Sequence, residues 1–277
     1  MRGQLPDSSL RGAAGPTSTA SPEIGSAQSG PIVVENPEAS GPFVIVCDHA
    51  SNRIPDDCKK FGFDPEALKA HIAWDPGALG VARRLMRSLD APLIWPDVSR
   101  LVIDCNRPAD STTLIVTESE GRAVPANRGL SDEERSRRLS HIHAAYHDAI
   151  DACLGQRVDR EITIVAIHSF TPIYRGAARP WQIGIVFDDD RRVADRLLDG
   201  LKADLNLSVG ANEPYSPADE VYYTVARHAR PRGLPATMIE IRNDEIGDEA
   251  GEQRWADRLA SLLLATAPAP TRFESCM

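Results

Sequence analysis

Polar residues of catalytic type recur where apolar runs end. Phe43–Cys47 leads into Asp48-His49-Ala50-Ser51-Asn52, Leu101–Cys105 into Asp104-Cys105-Asn106-Arg107, and Ile162–Ile167 into His168-Ser169. A fourth run, Thr237–Ile241, carries Glu240 and is followed by Arg242-Asn243. In an open α/β sheet ligands bind beyond the carboxyl ends of the strands, so this recurrence marks a candidate site. Two histidines at strand ends plus a carboxylate make a hydrolytic zinc site, because three ligands leave one coordination place for water. His49 and His168 are the histidine candidates. Asp75 is the candidate carboxylate, since it opens a helix soon after the His49 loop and a helix start projects its cap residue into such a crevice. Ordinary hydrogen bonding of the two histidines, with Asp75 as a helix cap before Pro76, remains the structural alternative.

Glu240 lies between Ile239 and Ile241, where burying a carboxylate is costly unless it faces a functional crevice or meets a cation. It suits proton transfer; the alternative is an ion pair with Arg242. Arg107 presents a planar fork able to hold a substrate carboxylate through two parallel hydrogen bonds, its alternative being an internal bridge to Asp104 or Asp48. Arg242 is a candidate for a second carboxylate, with a surface ion pair as alternative. His143 and His147 stand one turn apart on one helix face but lack the Glu of an HExxH motif, so a solvated face is the alternative there. Ser51, Ser169 and the cysteines lie in no GxSxG elbow, which argues against covalent catalysis. Asp188-Asp189-Asp190 reads as capping at a helix start, and Arg135-Ser136-Arg137-Arg138 as a charged helix face.

These residues need a scaffold of alternating strands and helices. Strands are predicted at Phe43–Cys47, Pro92–Trp95, Leu101–Cys105, Ile162–Ile167, Gln182–Phe187 and Thr237–Ile241, several apolar on both faces as central strands of a covered, mostly parallel sheet are. Helices are predicted at Pro76–Leu89, Ser131–Leu154, Arg191–Leu205 and Glu249–Leu264, with Ser131 and Glu134 forming a capping box. Residues 1–42 are dominated by Gly, Pro, Ser and Ala and contain no aromatic residue, so they read as a disordered tail before one catalytic domain, residues 43–277.

The chain has 277 residues, 42% of them hydrophobic, with 31 basic and 40 acidic side chains and a net charge of -9. That balance opposes nucleic acid and anionic membranes as partners and favours small molecules. The apolar stretches are far shorter than the ~20 residues of a membrane span, and no secretory signal is visible. Five scattered cysteines without a CxxC pair suit reduced thiols, Cys47 and Cys105 in strands, and a cytoplasmic setting.

The ordered set Asp48-His49-Ala50-Ser51-Asn52, Trp74-Asp75-Pro76-Gly77, the stretch from Ser99 to Pro108, Ile167-His168-Ser169 and Ile239-Glu240-Ile241-Arg242 resembles the N-formylglutamate amidohydrolase family from Phe43 to Leu264. That family is similar to zinc carboxypeptidases and aspartoacylases. The resemblance implies a three-layer α/β sandwich with a mixed, mostly parallel sheet of the phosphorylase/hydrolase type. It also implies that His49, Asp75 and His168 ligate zinc or another divalent metal and that Glu240 is the general base. Asn106 and Arg107 are similar to the Asn-Arg pair with which the relatives grip a substrate carboxylate, and Arg242, Ser51 and His147 are expected to line the substrate site. Two departures stand out: Asn52 occupies the place of the carboxypeptidase Glu, and the His49 loop differs from the Pro-His-Ser-Gly more frequent in formylglutamate deformylases. The implied activity is hydrolysis of a small N-acyl amino acid, foremost N-formyl-L-glutamate to formate and L-glutamate, by metal-activated water. Alternatives are another N-acyl amino acid or short peptide as substrate, or a non-catalytic relative that binds an amino acid.

Overall fold

Phe43-Val44-Ile45-Val46 combines aromatic and β-branched residues with no polar face, which suits a strand covered on both sides, and all four residues are buried. The computed structural model describes residues 26–266, and the described residues hold twelve strands and seven α-helices. In chain order these begin with β1 (Ser26–Ser29), β2 (Ile32–Glu35), β3 (Phe43–Val46), α1 (Pro65–Lys69), α2 (Ala78–Ser88) and β4 (Leu93–Pro96). A small hairpin, β5 (Glu118–Ser119) and β6 (Arg122–Ala123), precedes α3 (Asp132–Arg138), which continues through a π-helical turn at Leu139–Ala144 into α4 (Ala145–Gly155). Then come β7 (Thr163–Phe170), a second hairpin of β8 (Ile173–Tyr174) and β9 (Ala177–Ala178), and β10 (Ile183–Val186). The chain closes with α5 (Ala194–Lys202), β11 (Val209–Ala211), α6 (Tyr223–Ala229), β12 (Ala236–Arg242) and α7 (Glu249–Leu264).

Eight strands form one sheet in the order β1-β2-β4-β3-β7-β12-β10-β11. Pairing is parallel for β4-β3, β3-β7, β7-β12 and β10-β11, and antiparallel at β1-β2, β2-β4 and β12-β10. Alternate residues of each central strand feed opposite cores. Ile45, Ile167 and Ile239 pack with Leu85 of α2, Leu197 of α5 and Leu259 of α7, whereas Val44, Ala166 and Met238 pack with Tyr146 and Ile150 of α4 and Val225 of α6. The result is the three-layer, mixed and mostly parallel α/β sandwich that the sequence implies. No helix among the described residues is long and apolar enough to cross a membrane.

The structure revises several expectations. The tail boundary at residue 42 is too late: Ile32-Val33-Val34 is a β-branched run, and β2 pairs with β4, burying Ile32 and Val33. Residues 1–25 and 267–277 lie outside the described residues. Leu101–Cys105 is a buried loop, since β2 already occupies the free side of β4; Val102 N donates to Ser99 O and Asp104 N to Leu114 O instead. Cys105 lies in that loop, and Cys47 directly follows β3. Asp75 does not cap α2. The cap position is Gly77 at φ 80°, where a Cβ would lie 2.3 Å from Ile246 O, so the turn requires glycine and leaves the Asp75 side chain free. At α3 the Ser131 side chain accepts from Glu134 N, but the Glu134 carboxylate turns to Arg137 and Arg138; Arg138 is fully buried, donating also to Val102 O and Asn127 Oδ1, not part of a solvated face.

Candidate active site

Three adjacent parallel strands bring the polar residues together. The β7-β12 register sets Glu240 opposite His168, and the β3-β7 register pairs Val46 with Ala166, so the Asp48-His49 extension of β3 arrives beside His168. Asp75 comes from the turn before α2, its N–H donating to His49 O at 2.9 Å.

The two imidazoles share one carboxylate and each has another behind it. His168 Nδ1 is 2.9 Å from Asp75 Oδ2 and its Nε2 2.9 Å from Asp48 Oδ2. His49 Nδ1 is 3.5 Å from the same Asp75 oxygen, and its Nε2 2.8 Å from Asp104 Oδ1. Ligand atoms of His49, Asp75 and His168 all lie within 4.8 Å of one another, and all three residues are buried. Asp75 Oδ1 is buried without a hydrogen bond. The residues fit a divalent cation: two nitrogens and an anionic oxygen converge, while Asp48 and Asp104 fix the far ring nitrogens as carboxylates behind metal-ligating histidines do. Thr224 Oγ1 in turn donates to Asp48 Oδ1 at 2.6 Å.

Burial opposes charge on every one of these groups, yet the ion pairs outweigh it. Asp48, Asp75 and Asp104 are held below the ordinary carboxylate range, and His49 and His168 above the ordinary imidazole range. A cation ligated there must displace protons from the histidines, because only neutral imidazole ligates. Divalent-cation affinity is therefore expected to rise with pH by up to about tenfold per unit for each proton displaced. Titration calorimetry in two buffers of different ionisation enthalpy at pH 7 measures that release; binding without proton release would contradict the protonated pair.

A cavity of about 310 Å³ opens over the triad, lined by Glu240, Asn106, Arg107, Arg100, His71, Tyr174 and Tyr215 among others. Glu240 is buried and its Oε2 has no hydrogen-bond partner. Burial pushes its pKa up to about 7 against the pull of His168. Arg107 makes no ion pair among the described residues; its Nη1 donates to Asn106 O and Glu220 O, both at 2.9 Å. Asn106 fastens the loop, its Nδ2 donating to Val221 O and its Oδ1 accepting from Thr224 N.

The family model for N-formylglutamate amidohydrolase matches residues 41–247. The chain belongs to this family. A crystal structure of a gene product from Agrobacterium tumefaciens is similar at 40% identity and a TM-score of 0.83, over 86% of this chain and 95% of that one. The N-formylglutamate amidohydrolase from Ralstonia eutropha JMP134 is similar in fold at 19% identity and a TM-score of 0.66, over 85% and 96% of the two chains. A metallo-carboxypeptidase from Burkholderia cenocepacia is a more distant likeness, at 11% identity and a TM-score of 0.40 over 85% and 60%. No curated protein matches the sequence significantly.

Three expected site residues of this N-formylglutamate amidohydrolase family member stand away from the cavity. Arg242 is bound to Asp244 at 2.8 Å and Glu245 at 3.3 Å in the turn after β12, which also removes the expected alternative partner of Glu240. Ser51 donates to Asp97 Oδ1 at 2.7 Å. His147 is buried behind the Asn106 loop, its Nε2 3.1 Å from Cys105 O, and neither it nor His143 faces solvent. Conversely, two cavity residues carried no expectation. Arg100 places Nη1 3.2 Å from His49 Nδ1 and 3.4 Å from Asp75 Oδ1, and its position inside the Ser99–Pro108 stretch was the available signal. His71 lines the cavity with an unbonded buried Nδ1, 3.7 Å from Asp75 Oδ1; burial, aided by Arg100, pushes its pKa down to about 3 and keeps it neutral. Asp48 and Asp104, the alternative ion-pair partners of Arg107, instead hold the rings of His168 and His49.

Proposed function

We propose that this chain is a cytoplasmic zinc-dependent amidohydrolase that cleaves a small N-acylated amino acid bearing a carboxylate, with N-formyl-L-glutamate as the first substrate to assay. One observation carries the reading: the Glu240 carboxylate is buried, unpartnered at Oε2 and directed by the β7-β12 register to the side of the sheet that His168 occupies. Zinc held by His49, Asp75 and His168 would supply Lewis acidity, polarising the amide carbonyl and acidifying a water molecule. Glu240 takes the proton of the attacking water and later returns it to the departing nitrogen, for which a pKa near neutrality is well matched. Arg107 holds the substrate carboxylate, its charge uncommitted to any protein carboxylate among the described residues. Asp48 and Asp104 keep each imidazole in the tautomer that leaves Nδ1 facing Asp75. Attack by water requires no acyl-enzyme.

A second reading, an N-acyl amino acid with a single carboxylate, is favoured by the placement of Arg242 outside the cavity and of Glu118 and Glu120 in its lining. Comparing N-formyl-L-glutamate with N-formyl-L-leucine separates the two. For either substrate, Arg107→Lys keeps the charge but loses the two-point fork, so KM is expected to rise by about tenfold or more with a smaller change in kcat. Steady-state kinetics on the carboxylate substrate and on its amidated analogue check this; equal losses on both would remove Arg107 from carboxylate recognition.

A further inference from the structure

The helical run from Asp132 to Gly155 is interrupted by the π-helical turn at Leu139–Ala144, and from that turn and the one following it His143 and His147 point into the protein. Neither lines the cavity. His143 Nε2 lies 2.8 Å from Arg107 O, and His147 Nε2 3.1 Å from Cys105 O. A carbonyl can only accept, so both rings carry their proton on Nε2 and donate it. Burial holds both pKa values down, that of His147 to about 2, in keeping with neutral rings. His147 Nδ1 then accepts from His228 Nε2 at 2.9 Å, and His228 Nδ1 reaches Asp151 Oδ1 at 2.8 Å.

Three successive carbonyls of the loop are thereby occupied. That of Cys105 is held by His147, that of Asn106 by the Arg107 guanidinium and that of Arg107 by His143, while the Asn106 side chain fastens the loop to Val221 and Thr224 from the other direction. Buried carbonyls are usually satisfied by backbone N–H groups of regular structure. Here the π-helical turn, a feature frequent at functional sites, supplies the His143 imidazole and the helical turn after it that of His147 instead. A functional group works only within about 10–20° of its productive orientation, and the peptide planes around Arg107 set both the origin of its side chain and the place of Asn106 O, one of the two carbonyls to which its Nη1 donates.

We propose that His143, supported by His147, is a positioning residue that orients Arg107 toward the substrate carboxylate. This rests on the reading of Arg107 given above. The test compares His143→Leu, which removes the donor, with His143→Gln, which can still donate to the Arg107 carbonyl. Kinetics are measured on N-formyl-L-glutamate and on its neutral diamide, alongside melting temperature and bound zinc. His143→Leu is expected to raise KM for the dicarboxylate by about tenfold, to leave KM for the diamide and the zinc content unchanged, and His143→Gln to restore most of the loss. Should His143→Leu not fold, His143→Asn, polar but too short to reach the carbonyl, takes its place in the comparison. Equal effects on the two substrates, or failure of His143→Gln to restore recognition in a folded protein, would overturn the positioning role. If Arg107→Lys does not discriminate the substrates, the carboxylate reading itself falls, and this inference with it; if Arg107→Lys discriminates and His143→Leu does not, only the positioning role is lost.

Discussion

Replacing Glu240 with Gln is expected to lower kcat by ~10²–10⁴ while zinc remains bound, because the amide keeps the shape of the carboxylate but cannot accept the proton of the attacking water. Stability should move the other way. Burial raises the Glu240 pKa from 4.5 to about 7, so the folded chain favours the neutral acid. A raised carboxyl pKa gives a contribution to stability that is full below about 4.5 and is lost as pH rises through about 7. At pH 8 the wild-type carboxylate is charged at a cost that Gln does not incur, so the melting temperature of Glu240→Gln should hold or rise. A divalent cation at the triad favours the charged form, placing the acid limb of the wild-type rate below pH 7; the variant should lack that limb. Full activity in Glu240→Gln with metal bound would exclude this residue as the base.

The parts of the site legible in the sequence were those set by local pattern. His49 and His168 end or follow runs that must be strands, so the sheet itself delivers them to one edge, and Glu240 was conspicuous because no carboxylate belongs between Ile239 and Ile241 without a reason. Asp75 was legible as a site residue but not in its conformation: Gly77, at a positive φ and packed too close to Ile246 for a side chain, takes the cap position two residues after the expected aspartate. Arg242 shares the alternation of Glu240 along β12, yet it falls at the strand end, where Asp244 and Glu245 of the next turn capture it, as the surface ion-pair alternative has it. Ser51 was likewise claimed by Asp97, 46 positions away.

What stayed hidden depends on contacts between distant segments. Thr224 reaches Asp48 across 176 positions and His228 reaches His147 across 81, and no spacing within one chain announces such pairs. The N-terminal strand was hidden for the opposite reason. Ile32-Val33-Val34 has strong β propensity, but averaged over 42 residues rich in Gly, Pro and Ser the run vanished into its surroundings. Once β2 occupies the free side of β4, the equally apolar Leu101–Cys105 has no sheet partner left and becomes the loop that presents Asp104, Asn106 and Arg107.

The histidines and the carboxylates behind them should fail by different routes when altered. His168→Ala removes a ligand atom outright and leaves Asp48 and Asp75 buried without their shared partner, so bound zinc and activity are expected to vanish, with a stability loss of ~3–5 kcal/mol for the broken buried pair. Asp48→Asn leaves His168 in place but weakens its orientation, for which a ten- to hundredfold loss of metal affinity is the expected scale. Asp104→Asn should do the same to His49. Activity titrated against free zinc distinguishes the two classes: the asparagine variants recover at raised zinc, whereas His168→Ala does not recover at any concentration. Metal content by elemental analysis gives the parallel count. If His168→Ala retained a full equivalent of zinc together with activity, the triad would not be the metal site, and the carboxylates of Asp48 and Asp104 would have no ligand to orient.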